Sequence, residues 1–99
     1  MMIGALRIVL RLPESHSLKD KRQIVKSLLA RARHDYAVAA AETGEQDRWQ
    51  IAELGFAYVS ASGAHATEVL EKVARFIDTT RPDLDILEEH IEALELGAD

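Results

Sequence analysis

The stretch GALRIVLRLPESHSLKDKRQIVKSLLARAR, residues 4–33, decides the fold. Its apolar residues first recur at every second position, as in a strand, and then at the spacing of an α-helix. Apolar side chains alternate over residues 4–12, which predicts a strand with one buried face. A proline follows and ends that strand. Ser17 and Asp20 have the spacing of a helix N-cap with an acidic partner, so we expect the first helix to begin at Leu18.

The remaining elements follow the same two periods. We expect strands at 36–42 and 52–61, joined by a polar loop at 43–50. A second helix should begin at Ser62 or Gly63 and end at Pro82. A fourth strand is expected at 84–94. The order β-α-β-β-α-β with right-handed crossovers predicts an α+β, ferredoxin-like split βαβ sandwich. Its four-stranded antiparallel sheet has the order 4-1-3-2, with both helices on one face and the other face open. We expect one domain over residues 1–95 and a frayed tail over 96–99.

The composition is that of a soluble globular protein: 99 residues, 47% hydrophobic and 29% charged. The chain has no cysteine, which excludes disulfides, thiolate metal sites and a cysteine nucleophile. The apolar run at the N-terminus contains two arginines, is too short to span a bilayer and lacks the parts of a signal peptide. We therefore expect a cytoplasmic location and no membrane partner.

Charge is strongly segregated along the chain, whose net charge is −5. Residues 1–36 contain eight Lys or Arg and three Asp or Glu, whereas residues 37–99 contain four and fourteen. Six of the twelve basic residues lie within 17–33. This asymmetry predicts one basic and one acidic face, and it argues against a protein that binds polyanions with its whole surface.

The basic residues of the first helix form a stripe. On a helical wheel of about 100° per residue, four of them fall within roughly 60° of one another. The four are Lys19, Arg22, Lys26 and Arg33. Four cations in one stripe can each meet a phosphate and release counterions, so this face is a candidate contact for RNA or another acidic partner. The alternative is that the stripe is only the solvated face of an amphipathic helix.

Three further basic residues are candidates for the same contact. Lys21 lies among the apolar positions of the first helical turn, where its stem can snorkel past the sheet edge. Arg7 and Arg11 alternate with the buried positions of the first strand. They extend the basic surface if the open sheet face is uncovered.

The segment LGFAYV, residues 54–59, resembles part of the RNP1 strand of RNA-recognition motifs. Phe56 and Tyr58 point to the same side, which we expect to be the open sheet face, because the small residues that alternate with them suit packing under helices. With Val9 they form an apolar surface that needs a cover. A second subunit is the favoured cover, so we expect a homodimer. Base stacking and a place in the core are the alternatives.

Other candidate chemistry is sparse. His16 and His65 lie in loops that we expect to be near each other. Solvated histidines are the favoured interpretation, and a two-histidine metal or acid–base site is the alternative. No P-loop, dinucleotide fingerprint or Gly-x-Ser-x-Gly motif occurs. We expect no catalytic residue, no cofactor and no metal. Trp49, beside the hairpin loop, is a loop staple or, alternatively, a hot spot for a partner.

Three segments together resemble the YlxP-like family of small bacterial proteins of unknown function. They are MIGALRIVLRLPESHSLKDKR, DRWQIAELGFAYVS and GAHATEVLEKVARFI, and the most specific piece is SLKDKR at residues 17–22. The resemblance covers nearly the whole chain. It implies a ferredoxin-like fold and a gene found among translation and ribosome-maturation genes, which points to RNA or the ribosome. It carries over no catalytic residues.

These observations favour a non-enzymatic binding module that contacts structured RNA or a ribosomal component through the basic face of the first helix. The alternative is a homodimeric regulatory or small-ligand-binding domain with no nucleic-acid role, which uses the dimer seam as its pocket. A small hydrolase built on the two histidine loops ranks third.

Overall fold

The computed structural model describes residues 1–97. It contains the predicted elements in the predicted order, and their bounds are β1 Met2–Arg11, α1 Leu18–Tyr36, β2 Ala39–Gly44, β3 Ile51–Ser60, α2 Gly63–Thr80 and β4 Asp85–Glu95. The strands form one antiparallel sheet in the order β2-β3-β1-β4, with both helices on one face. The ferredoxin-like sandwich is therefore confirmed. In the predicted tail, Leu96 donates a backbone hydrogen bond to Met1, and residues 98–99 lie outside the described residues.

β1 lies in the middle of the sheet, between β3 and β4. Its core-facing leucine and isoleucine side chains are at most 2% exposed. A β-bulge interrupts the pairing of β1 with β4 between Val9 and Leu10. The extra residue explains why β4 alternates imperfectly: Ile86 and Ile91 are separated by an odd number of positions, yet both pack on the core.

α1 begins where the sequence predicts. The Ser17 hydroxyl accepts a hydrogen bond from the Asp20 N–H at 3.0 Å, and the Asp20 carboxylate accepts one from the His16 N–H at 3.1 Å. Both bonds satisfy backbone donors at the entrance of the helix. α1 ends at Tyr36, whose ring centroid lies 5.6 Å from that of Phe76 in α2.

The prediction of a strand over 36–42 is wrong at its start. Tyr36 is held in the helix by its packing, and the chain then reverses at Ala37, whose φ of 55° lies in the left-handed region. β2 consequently begins at Ala39. This later start leaves β2 with six residues, and the strand lies at one edge of the sheet.

The close approach of α2 to β1 depends on Gly4. A Cβ at this position would lie 2.8 Å from Leu70 Cδ1 and 3.0 Å from Ala66 Cβ. Contacts this short force a side chain or the helix to move. The helical layer is therefore set tightly against one face of the sheet, and the outer faces of the helices and the opposite face of the sheet remain exposed.

Candidate functional site

The basic stripe lies on the outer face of α1. Lys19, Arg22 and Lys26 are exposed and make no hydrogen bond or ion pair with any other side chain in residues 1–97. Arg33 is also exposed, but its Nη2 donates a hydrogen bond to the Ala40 carbonyl and so ties α1 to β2. Within the described residues the predicted stripe therefore contains three cations without a protein partner and a fourth that is partly engaged.

Lys21 is not part of this surface, and its prediction as an RNA or partner contact is wrong. The side chain is 1% exposed. Its Nζ donates hydrogen bonds to the carbonyls of Glu45 at 2.5 Å, Arg48 at 2.6 Å and Ile51 at 2.8 Å. The ammonium thus holds the loop between β2 and β3 against the first turn of α1.

Glu42 neutralises this buried ammonium. Its Oε2 lies 2.9 Å from Lys21 Nζ. Because the three N–H groups of the ammonium are directed at carbonyls, this oxygen receives charge compensation without a hydrogen bond of its own. The sequence contained a signal for this arrangement, since Lys21 lies among the apolar positions of an otherwise amphipathic helix.

The open sheet face has a charged end, where Arg7 and Arg11 lie. Arg7 contacts Glu53 at 2.6 Å and Glu88 at 2.5 Å. Arg11 contacts Asp85 at 2.7 Å. These acidic neighbours compete with any phosphate, so neither arginine extends the basic stripe of α1 as predicted.

The carboxylate of Glu53 is the best-connected group at this end. The Thr43 hydroxyl donates to it at 2.8 Å, and together with the hydrogen bond from Arg7 this holds the pKa of Glu53 below its ordinary value. Hydrogen bonds to Glu88 and Glu53 in turn raise the pKa of Arg7. Both groups therefore remain charged at neutral pH, and their charges compensate each other within the sheet.

The predicted place of Phe56 and Tyr58 on the open face is wrong. Phe56 pairs with Leu6, is 3% exposed and belongs to the core beneath the helices. Tyr58 pairs with Gly4 on the same side, and its hydroxyl lies 3.4 Å from His65 Nε2. Base stacking on these rings is excluded by that orientation. Of the predicted sheet-face residues only Val9 lies on the open face, where it is 7% exposed.

The open face instead presents a shallow groove of about 640 Å³ with a floor of small residues. Its floor contains Ala5, Ala39, Ala41, Gly55 and Ala57. Thr43 bounds it at the charged end, where a Cβ on Gly55 would lie 2.8 Å from Thr43 Cγ2. His90 and Glu92 of β4 line the opposite side. The alternative function, binding of a small ligand, would use this groove. That function stays a prediction.

The other end of the open face is apolar. Val59, Ile3 and Leu94 are direct neighbours across β3, β1 and β4. Val59 is 62% and Leu94 55% exposed. Met1 and Leu96, joined by backbone hydrogen bonds, continue this surface and are 56% and 55% exposed. We call these five residues the apolar patch.

The two histidine loops do not come together. β1 and β3 are antiparallel, so the segments that follow them, with His16 and His65, lie at opposite ends of the sheet. Ser62 caps α2 by accepting from the His65 N–H at 3.2 Å. Among residues 1–97 no group of three or more potential ligand side chains can hold a metal ion. Within the same residues no helix has the length and apolarity needed to cross a membrane.

Trp49 lies in the loop between β2 and β3 and is 49% exposed. It lines a small surface depression with its sequence neighbours from Asp47 to Ile51. About half of the residue's surface is therefore available to a partner, and the role of Trp49 as a hot spot stays a prediction.

The topology defines a ferredoxin-like α+β domain. The chain belongs to the DUF503 family, described as a protein of unknown function, which matches residues 3–91. It is 36% identical over 78 residues to the uncharacterized protein YlxP of Bacillus subtilis (strain 168), covering 79% of this chain and 85% of that protein. The YlxP-like resemblance is thus confirmed.

Solved structures support the fold alone. The de novo designed ferredoxin-fold protein LFR1 1 matches with a TM-score of 0.57 at 14% identity, covering 100% of this chain and 91% of that one. The de novo designed protein Foldit4 matches with a TM-score of 0.55 at 10% identity, covering 97% and 99%. Both were designed, so they carry information about the architecture and none about a biological role.

Proposed function

We propose that the protein is a non-enzymatic cytoplasmic module that binds structured RNA, free or within the ribosome, through the outer face of α1. The observation that carries this proposal is the set of three exposed cations, Lys19, Arg22 and Lys26, that lack an acidic partner within residues 1–97. An acidic protein that keeps uncompensated positive charge on one helix has a local surface suited to phosphates.

The rest of the basic residues are mostly compensated. Within residues 1–97, six of the twelve Lys and Arg residues form ion pairs with carboxylates: Arg7, Arg11, Lys21, Arg48, Lys72 and Arg81. Five of the other six lie on α1, and the sixth is Arg75 on α2. One of those on α1, Arg31, lies over the Phe76 ring at 5.0 Å from its centroid. The uncompensated charge is therefore concentrated on a single helix.

The dimensions of the stripe suit a short run of phosphates. Lys19 and Lys26 are seven residues apart, which corresponds to about 10 Å along a helix that rises 1.5 Å per residue. Arg22 lies between them on the same face. Phosphate contacts of this kind position a protein without reading bases, so we expect recognition of RNA shape at about 10⁻⁴ to 10⁻⁶ M.

The test is binding of folded ribosomal RNA and of ribosomal subunits over a salt series. Three phosphate contacts predict a slope of log K against log[salt] of about −2 to −3. The variant Arg22→Glu/Lys26→Glu should lose nearly all measurable binding, because two contacts become repulsive. The control Arg48→Glu/Arg75→Glu makes the same change in net charge outside the stripe and should retain most of the affinity.

Circular dichroism and thermal unfolding would establish that both variants fold. The proposal fails if wild type does not bind at low salt. It also fails if the control weakens binding as much as the stripe variant does, because binding would then follow net charge alone.

A further inference from the structure

We propose that the open sheet face binds a second copy of this chain, so that two sheets pack face to face about a two-fold axis. This inference is independent of the RNA proposal, because the basic stripe lies on α1, on the opposite side of the sheet. Three features of the open face carry it: the apolar patch, the neighbouring groove and the internal compensation of the charges.

The apolar patch is the largest departure from a solvated surface. The described residues include six large hydrophobic side chains that are exposed, and four of them belong to the patch: Met1, Val59, Leu94 and Leu96. Isolated exposed hydrophobic residues are common, whereas a contiguous group on one face marks an interaction surface. Because β3, β1 and β4 present Val59, Ile3 and Leu94 side by side, the group is contiguous.

Large and small residues are separated along the same face. The patch supplies protruding side chains, and the groove beside it, about 640 Å³ in volume, has a floor of alanine and glycine. A two-fold axis between the apolar patch and the groove places the patch of each copy over the groove of the other. Val59 and Leu94 of one copy then face Ala5 and Ala57 of the other. A closed symmetric interface requires this kind of self-complementary surface.

The available area is that of a small specific interface. The four strands contain 10, 6, 10 and 11 residues, and at a spacing of about 4.8 Å and about 3.3 Å per residue they present roughly 600 Å² per copy. Two copies then bury about 1,200 Å², the lower end of the range for specific interfaces. A small ligand would fill the groove but leave the patch exposed, so it explains less of this surface.

The charges of the face favour a second copy over a polyanion. Arg7 is paired with Glu53 and Glu88, and Arg11 with Asp85. The face also carries Glu92, which contacts His90 at 2.8 Å. An RNA would meet four carboxylates and two arginines here, whereas a second copy brings two arginines of its own, so the face repels an RNA more strongly than it repels a second copy.

The experiment is sedimentation over a concentration series, with wild type at low and high salt. We expect reversible dimerisation that tightens as salt rises, because each copy carries a net charge of −5 and salt screens their repulsion. RNA binding through α1 has the opposite salt dependence.

Two variants test the face from both sides of the proposed contact. Leu94→Glu changes a protruding side chain and Ala57→Glu fills the groove floor, and each should raise the dimer Kd at least about tenfold. Both positions face solvent in the monomer, so the variants should fold, which circular dichroism checks. Gln23→Glu on α1 adds the same charge outside the face and should leave the Kd unchanged.

The proposal is overturned if wild type stays monomeric at the highest concentration and salt, which would leave the face to a small ligand or to another protein. It is also overturned if Gln23→Glu weakens the dimer as much as Leu94→Glu and Ala57→Glu do.

Discussion

Replacing Lys21 with methionine is expected to lower the free energy of unfolding by about 3 to 5 kcal/mol, the usual cost of breaking a buried ion pair by removing one partner. The variant leaves the Glu42 carboxylate without its counter-charge and the carbonyls of Glu45, Arg48 and Ile51 without their donor. Since domains of this size have a total stability of about 5 to 15 kcal/mol, the variant should be near the limit of folding.

Urea denaturation followed by far-UV circular dichroism and by Trp49 fluorescence measures this loss. Lys26→Met removes an exposed lysine from the same helix and should change stability by no more than about 0.5 kcal/mol. Lys21→Met/Glu42→Leu should recover part of the loss, because the unpaired carboxylate is removed while the three carbonyls stay without a donor. A single Lys21→Met variant as stable as Lys26→Met would contradict the structural role of the ammonium.

Replacing Phe56 with alanine is expected to cost about 3 to 5 kcal/mol of folding stability, the range for deleting a buried aromatic side chain. Phe56 is 3% exposed and packs in the core opposite Leu6. The loss combines the transfer of the ring to water with a cavity beneath the helices. If Phe56 stacked bases on an open face, the same substitution would reduce RNA binding and leave stability nearly unchanged.

Val59→Ala is the matched control on the same strand. Val59 is 62% exposed on the opposite face, so its truncation should change monomer stability by no more than about 0.5 kcal/mol. Thermal and urea unfolding at low protein concentration would compare the two variants without a contribution from dimerisation. A stable Phe56→Ala variant would mean that β3 presents the other set of side chains to the helices.

The sequence predicted the elements and their order because local signals agree at each of them. The alternation in β1, the Ser17–Asp20 cap and the polar hairpin loop each specify a local conformation, and right-handed connections leave few ways to assemble them. The same signals do not determine which face of β3 is covered. The odd-numbered and the even-numbered residues of β3 both form an alternating pattern, so the pattern alone does not say which set faces the helices. The pairing register decides this, because Phe56 lies opposite the buried Leu6 and Gly55 lies opposite the exposed Arg7.

The candidate site was predicted only in part, for a similar reason. Lys19, Arg22 and Lys26 were identified because a helical wheel places side chains on a face without any knowledge of the fold. Lys21 was misassigned because its partners are carbonyls 24 to 30 residues further along the chain, and backbone groups have no signature in the sequence. Arg7 and Arg11 were misassigned because their carboxylates come from β3 and β4.

The attachment of the hairpin to Lys21 has an evolutionary consequence. Exposed polar loops ordinarily accept insertions and deletions with little harm. Here the carbonyls of Glu45, Arg48 and Ile51 converge on one ammonium that belongs to another element, and Glu45 has a left-handed φ of 58°. A single added residue would move at least one carbonyl out of reach. We therefore expect a side chain on α1 to constrain the length of this surface loop, although the loop's own side chains face solvent.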